Sequence, residues 1–277
     1  MKRACVIGWP IEHSRSPLIH GYWLRRHAIA GTYEKRAVAP QNIEAFLREL
    51  GAQGYAGANV TVPYKEAALH AASYADAAAK SVGAANTLWV EDGALWASNT
   101  DIFGFLRNLD DQVPGWDATG RDAAVLGAGG AARGILRGLL DRGFPEIRLI
   151  NRTKERAAEL AAFFGAAVQV MDWEERSGAL EGCGLLVNST TLGMKGSAAL
   201  DIDLRALPPI AVVHDIIYVP LRTPLLRQAS AMGLRSADGL GMLLHQAVPG
   251  FERWFGVRPE VTAELRDLVL RDIGNRP

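Results

Sequence analysis

The sequence predicts an α/β fold in two domains, on three observations. Short apolar runs suited to strands alternate with longer amphipathic runs suited to helices, the rhythm of a largely parallel sheet. A glycine-rich turn, Gly127-Ala128-Gly129-Gly130-Ala131-Ala132, stands between one such strand and one such helix. That framing brings backbone amides to a phosphate at the positive end of a helix. Lastly, Asp110–Arg121 breaks the rhythm with Pro114, two glycines and several acids, which reads as a loop and places a domain junction near residues 100–120.

In chain order, Ala4–Ile7 reads as the first strand, and Ser16–His27 as a helix that Pro17 can open. Tyr33–Val38, Gly57–Val62 and Thr87–Val90 read as strands, with Asn42–Leu50 helical before the second of them. Glu66–Ala79 falls in an alanine-rich tract, a strong helix former, and reads as one helix. Beyond the junction, strands are expected at Ala123–Leu126, Ile147–Ile150, Val168–Val170, Leu185–Asn188 and Val212–Ile216. Helices are expected at Ala132–Arg142 and Lys154–Phe164, and Phe251–Phe255 reads as part of a packed C-terminal helix with Trp254 or Phe255 buried.

Composition narrows the function. The 277 residues suffice for two ordinary domains with real cores. Thirty basic and thirty acidic residues give a formal net charge of +0, which argues against a nucleic acid or a membrane surface as the main partner. No apolar run approaches the ~18 residues that span a bilayer, and the N-terminal Lys2–Gly8 run meets Trp9-Pro10 too soon for a signal peptide. Cys5 and Cys183 sit in apolar, strand-like surroundings and read as buried free thiols, so a reducing cytoplasm is expected. His13, His20 and His245 lack metal-ligand spacing, and no metal is expected.

Asn59-Val60-Thr61-Val62-Pro63-Tyr64-Lys65 is the most informative stretch of the first half. If extended, it sets Asn59, Thr61 and Lys65 on one face: an amide, a hydroxyl and an ammonium in a row. Such a row suits a small, hydroxyl-rich anion, the lysine being able to give or take a proton. An edge strand carrying polar residues to solvent would look the same. Upstream, Ser14 and Ser16 precede Pro17 at a helix start. They can cap that helix, Ser16 best of all, or meet a carboxylate. Asn86-Thr87 and Asn99-Thr100-Asp101 add amide, hydroxyl and acid groups beside strand-like runs, where α/β proteins bind ligands.

In the second half, the turn Gly127–Ala132 is Gly-x-Gly-x-x-Ala, a dinucleotide-binding pattern in its proper frame. The next strand ends at Asn151-Arg152-Thr153, with Arg156 a turn further on. A cofactor with a free ribose 2′-hydroxyl is usually held there by Asp or Glu. Two guanidinium groups instead suit a 2′-phosphate, which carries roughly −1.5 to −2 charge. The reading is therefore NADP(H) rather than NAD.

Together these stretches resemble the shikimate dehydrogenase family, including its shikimate/quinate members. The patterns are H-S-x-S-P at 13–17, N-x-T-x-P-x-K at 59–65, A-N-T at 85–87 and N-T-D at 99–101. They continue as G-A-G-G-A at 127–131, N-R-T-x-x-R at 151–156, N-S-T-x-x-G-M at 188–194, D-x-x-Y at 215–218 and G-x-x-M-L-x-x-Q at 239–246. The resemblance implies a substrate domain of residues 1–101 completed by 237–277, an inserted Rossmann-type NADP domain over 102–236, and an active site in the cleft. It implies Ser14 and Ser16 on the substrate carboxylate, with Asn59, Thr61, Lys65, Asn86, Asp101 and Gln246 on its hydroxyls. Lys65 and Asp101 become the proton-handling pair, and Tyr218 a wall of the cleft. Gly127, Ala128, Gly129, Gly130, Ala131, Asn151, Arg152, Thr153, Arg156, Thr190 and Gly239 fall to the cofactor; Met242 either touches the nicotinamide or packs in the core. The implied reaction interconverts 3-dehydroshikimate and shikimate on the way to chorismate and the aromatic amino acids. The rivals are a quinate/shikimate enzyme with relaxed choice of substrate or cofactor, and a silent NADPH-binding module, which should have lost Lys65 or Asp101. The partner is then a small molecule, and the enzyme a monomer or a homodimer.

Overall fold

A computed structural model describes residues 1–274. They divide into two units, residues 1–102 with Leu244 onward, and residues 103–243. The return to the first unit thus falls at 244, later than the boundary at 237 expected from the sequence.

The sheet of the first unit has strands β1 (Lys2–Gly8), β2 (Gly31–Ala37), β3 (Gly57–Val60), β4 (Tyr74–Ala75), β5 (Thr87–Glu91) and β6 (Ala94–Ser98), in the order β2-β1-β3-β5-β6-β4. It is mixed: β1 lies parallel to β2 and β3, whereas β5 runs antiparallel to β3 and β6. Helices α1 (Ser16–Arg26), α2 (Ile43–Arg48), α3 (Lys65–Ala71) and α4 (Ala77–Val82) come from the same half of the chain. Strand alternation sorts the two faces. Cys5, Ile7, Ala58, Val60 and Leu88 pack with Ile43, Phe46 and Leu47 of α2.

Two expectations fail here and one strand was unforeseen, each for a reason in the surroundings. The strand over 57–62 stops at Val60, and Lys65 opens α3, so Asn59 to Lys65 is not one extended row. The helix over 66–79 splits into α3 and α4, because Tyr74–Ala75 pairs with β6 and Asp76, in extended conformation, caps α4 through Ala79 N (2.9 Å). Alanine propensity is a weak prior, and edge pairing overrides it. Strand β6 escaped the sequence reading, although Asp92-Gly93, both with positive φ, is the two-residue turn that joins β5 to it.

The second unit has an all-parallel sheet of β7 (Ala123–Leu126), β8 (Ile147–Ile150), β9 (Val168–Met171), β10 (Leu185–Asn188), β11 (Val212–Asp215) and β12 (Arg235–Ala237). Their order, β9-β8-β7-β10-β11-β12, is that of a Rossmann sheet, with the switch point between β7 and β10. Alternation again divides the core. Val125, Leu185, Val187 and Val212 join Ile135 and Leu136 of α6 (Gly130–Asp141) on one face. Ala124, Leu126, Leu186 and Val213 join Leu225 and Leu226 of α8 (Pro224–Ala231) on the other. Each fully buried Leu or Val contributes about 1.5–3 kcal/mol. The unit also holds α7 (Lys154–Phe164) and most of α5 (Asp101–Gln112), which begins in the first unit; α9 (Leu240–His245) leads the chain back. The loop expected over 110–121 is shorter than predicted, since α5 runs to Gln112 and Trp116 is fully buried, donating to Asp110 (2.9 Å).

The last described elements are α10 (Ala247–Phe255) and α11 (Ala263–Gly274). Trp254 and Phe255 are both buried, and Trp254 donates to Leu88 O (2.8 Å) across Gly57. A Cβ at Gly57 would stand 2.1 Å from that indole nitrogen, so only glycine fits. Cys5 and Cys183 are free and buried, as expected; burial pushes the Cys183 thiol up to about 11 and Cys5 further. Among the described residues, no helix is long and apolar enough to cross a membrane, and no cluster of three or more His, Cys, Asp or Glu could hold a metal ion.

Candidate functional site

In the first unit, the structure draws Lys65, Asn86, Asp101 and Gln246 into one network. Lys65, the first residue of α3, donates through Nζ to Asp101 Oδ2, with 14% of the lysine side chain and 9% of the aspartate exposed. Asp101 opens α5, and its Oδ1 accepts from Asn86 Nδ2 (2.8 Å). Asn86 also reaches Gln246 Oε1 (3.5 Å), and its own Oδ1 accepts from Thr100 N (2.8 Å) and Thr87 Oγ1 (3.0 Å). Asp101 is thus fixed on both oxygens. A largely desolvated ion pair of this kind is kept only where such hydrogen bonds complete it.

Ser14 and Ser16 lie on the loop into α1. The cap position of that helix is Arg15, and Ser16 is its first residue with no capping hydrogen bond, which overturns the cap reading for Ser16. Instead Ser14 Oγ donates to Ser16 Oγ (3.3 Å) and accepts from Ser16 N (3.4 Å). Arg15 anchors the loop through its ion pair with Asp272 (3.1 Å). Two adjacent hydroxyls at a helix start can serve an anion. Thr61 is half-buried, and its hydroxyl has no acceptor or donor among the described residues.

Asn59 differs from expectation. Its Nδ2 donates to Asn86 O (3.2 Å) and Thr87 Oγ1 (3.3 Å), while its Oδ1 accepts from Tyr33 O–H (2.6 Å). Both amide protons are spent within the protein, and the residue is 5% exposed. Its direct work here is to hold the Asn86 and Thr87 segment. Tyr33 was not singled out from the sequence, where a tyrosine in a strand is unremarkable. It stacks on His20 at 3.9 Å, and burial pushes its phenol well above the ordinary range, with a hydrogen bond to Ser16 opposing. Burial likewise pushes His20 down to about 3. Thr87 and Thr100 were noted only as polar neighbours, yet they knit Asn59, Asn86 and Gln246 together.

In the second unit, Gly127 ends β7 with φ +100° and donates to Ile150 O (2.8 Å). A Cβ there would meet Ser189 Oγ at 2.7 Å. Gly129 faces open space, with nothing within 4 Å of an added Cβ, and α6 starts one residue later. An uncrowded glycine at a helix N-terminus leaves room for a pyrophosphate against the amides, so the turn fits a dinucleotide. Asn151 accepts from Ala128 N (3.2 Å) and donates to Thr153 O (2.7 Å), joining the glycine turn to the end of β8. Arg152 and Arg156 are exposed and donate to no acceptor among the described residues, whereas Lys154 is tied to Asp172 (2.6 Å). The donor set that suits a 2′-phosphate is thus uncommitted.

Thr190 binds Asn188 Oδ1 (2.7 Å), and Asn188 donates to Asp215 Oδ1 (3.1 Å). Asp215 also accepts from Thr223 (2.7 Å) and Ile217 N (3.1 Å), tying the ends of β10 and β11 together; burial raises its carboxyl to about 6. Tyr218 follows β11, half-buried. Gly239 packs so close that a Cβ would stand 2.0 Å from Ile216 O. Met242 is 7% exposed and belongs to the core beside α6, which favours packing for that residue.

Family models agree along the chain. Residues 6–88 match the shikimate dehydrogenase substrate binding domain, 110–193 the shikimate/quinate 5-dehydrogenase model, and 239–264 the shikimate 5'-dehydrogenase C-terminal domain. A shikimate dehydrogenase (NADP(+)) of Azorhizobium caulinodans is 56% identical over 273 residues, 99% of this chain and 97% of that protein. One of Nitrobacter winogradskyi is 57% identical over 272 residues, covering 98% and 97%. Among solved structures, shikimate 5-dehydrogenase of Thermus thermophilus in complex with NADP(H) and shikimate superposes with TM-score 0.84 at 33% identity, covering 98% of this chain and 99% of that one. Quinate dehydrogenase of Corynebacterium glutamicum in complex with NAD gives TM-score 0.90 at 27% identity, with the same coverage. Motifs, both sheets and relatives agree over almost every residue: the chain belongs to the shikimate dehydrogenase family.

Proposed function

We propose that the chain is an NADP-dependent oxidoreductase that interconverts 3-dehydroshikimate and shikimate, in the cytoplasm, as a step toward chorismate and the aromatic amino acids. The first unit is its substrate domain and the second its NADP domain. The observation that carries this reading is the Lys65–Asp101 pair, set in a network of amides and hydroxyls. A silent binding module would have no use for a desolvated ammonium held this firmly.

Each residue has a physical task. Ser14 and Ser16 take the substrate carboxylate, and Thr61 a ring hydroxyl. Asn86 and Gln246 orient the hydroxyls next to the reacting carbon. Lys65 stabilises negative charge on the oxygen of that carbon and passes a proton to it in reduction, or takes one in oxidation. Asp101 aims the ammonium and accepts from the same hydroxyl group. NADP, held by the amides of 127–131 and by Asn151, Arg152, Thr153 and Arg156, supplies or receives the hydride.

The likeness to a quinate dehydrogenase bound to NAD keeps a second reading in view, an enzyme that also accepts quinate or NAD. Arg152, free to meet a 2′-phosphate, and the two serines favour the stricter one. Initial rates with shikimate against quinate, each with NADP and NAD, separate the two. Shikimate with NADP should dominate, and comparable efficiency with quinate or NAD would favour the relaxed enzyme.

A further inference from the structure

We propose that the first unit carries a second ligand site, for a small zwitterion of amino-acid size, that shares two threonines with the substrate network. The site is a cavity of about 490 Å³ between the β5–β6 hairpin and α10, within the size range of small-molecule pockets. The register pairs Thr87 with Ser98 and Trp89 with Trp96, so Thr87, Ser98 and Trp89 lie on one face of the hairpin and form the floor. Asp76 closes the Ser98 end, its backbone N–H bound to Ala97 O (3.0 Å). Arg253 covers the Trp89 end, its guanidinium 4.5 Å from the ring centroid. Two residues of strand separate these ends, about 7 Å.

The charges are available. Arg253 makes no hydrogen bond or ion pair among the described residues, yet the indole face holds its planar head, so little freedom is lost on meeting a carboxylate. Asp76 uses Oδ1 to cap α4, and its Oδ2 has no partner among the described residues. Glu252 also lines the site but is neutralised by Arg258 (2.6 Å). The Ser98 hydroxyl is likewise unpartnered among them. A cation at one end, a carboxylate at the other and hydroxyls between them match a carboxylate and an ammonium on one small molecule better than either charge alone.

Thr87 and Thr100 line the same cavity. Through their other sides Thr87 donates to Asn86 Oδ1 (3.0 Å), and Thr100 donates to Gln246 O (2.7 Å) with its hydroxyl 3.1 Å from Asn86 Oδ1. A ligand that bonds to either hydroxyl competes for groups that orient Asn86, and Asn86 holds Asp101. Occupancy of this site therefore alters shikimate affinity; that coupling rests on the proposed function, whereas binding itself does not.

Isothermal titration of the full chain with the protein L-amino acids, one at a time, tests the proposal. At least one should bind once per chain. Its N-acetyl and methyl-ester forms should each bind about tenfold weaker or worse, as expected for loss of one charge-assisted contact. Arg253→Ala and Asp76→Asn should each weaken binding of the free amino acid by about tenfold or more, Asn being retained at 76 because it still caps a helix. Both variants should keep the wild-type melting curve and the wild-type constants for shikimate without amino acid. With the amino acid saturating, the Michaelis constant for shikimate should shift in wild type and stay put in Arg253→Ala. No binding at millimolar concentration, undiminished binding to Arg253→Ala, or equal binding of the blocked forms overturns the site. Binding with unmoved shikimate constants overturns the coupling. A chain that binds the amino acid but never turns over shikimate refutes the proposed function and leaves the site standing.

Discussion

Truncating Arg152 should cost this enzyme most of its preference for NADP without touching its fold. The side chain is exposed and donates to no acceptor among the described residues, so Arg152→Ala should stay within about ±0.5 kcal/mol of wild-type stability. NAD lacks the 2′-phosphate, and its affinity should be unmoved. For NADP the lost contact is a charge-assisted hydrogen bond of about 1.5–3 kcal/mol, and exposure to solvent argues for the lower end. That amounts to about tenfold in affinity. Arg156, which has no acceptor among the described residues, can take part of the load, so Arg152→Ala/Arg156→Ala should lose about a hundredfold if the two act independently. The assay is the ratio of kcat/KM with NADP to that with NAD, for wild type and both variants, at low and high salt. The wild-type ratio should shrink as salt rises and that of the double variant should not. A ratio unchanged by either substitution, or a wild type that prefers NAD, refutes the assignment of these arginines.

Other outcomes follow from the same geometry. Ser14→Ala and Ser16→Ala should each raise the Michaelis constant for shikimate by about 5- to 30-fold with kcat nearly intact, because the carboxylate is remote from the reacting carbon; unchanged Michaelis constants in steady-state kinetics would remove both serines from the site. Tyr33→Phe keeps the stack on His20 but leaves Asn59 Oδ1 without its 2.6 Å donor, so urea unfolding should show a loss of about 1–2 kcal/mol, and full stability would contradict the network. Burial lowers His20 from 6.5 to about 3, so the unfolded chain takes up a proton that the native one refuses as pH falls below about 6.5. Its contribution is complete above that pH and is lost toward acid at about 1.4 kcal/mol per pH unit. His214, lowered to about 4, acts in the same direction, and Asp215, raised to about 6, opposes it below that pH. The urea midpoint should therefore fall from pH 7 to pH 5, and less steeply in His20→Phe; identical slopes would show that His20 does not resist protonation.

The first five strands of the second unit were legible to within one residue, whereas β12, a short run of Arg235-Ser236-Ala237, and α8 were not foreseen. Ala123–Leu126 and Leu185–Asn188 are strands buried at every position, and their apolar runs announce them; Ile147–Ile150 is apolar but for Arg148, which is half-buried and paired with Asp122 and Glu146. The glycine turn and Asn151 lie on adjacent strand ends joined by the Ala128 N–H, a local relation that sequence order suggests. In the first unit the decisive relations are long-range. Asn59 reads as a ligand contact because nothing nearby in sequence shows that Tyr33, Asn86 and Thr87 use up its amide. Lys65 does lie against Asp101, but a helix start and not a strand presents it. The alanine tract hid β4, whose existence depends on an edge that β6 provides.

The measurement closest to the central claim is the single-turnover rate of NADPH consumption with 3-dehydroshikimate, in wild type and Lys65→Ala, alongside the shikimate Kd of each. Loss of a positioned proton donor should slow the turnover by about 10²–10⁴-fold. Binding should weaken far less, since the serines, Thr61 and Asn86 remain in place. A Lys65→Ala enzyme that turns over at nearly the wild-type rate, or one whose slow rate is fully recovered at saturating substrate, would contradict the account.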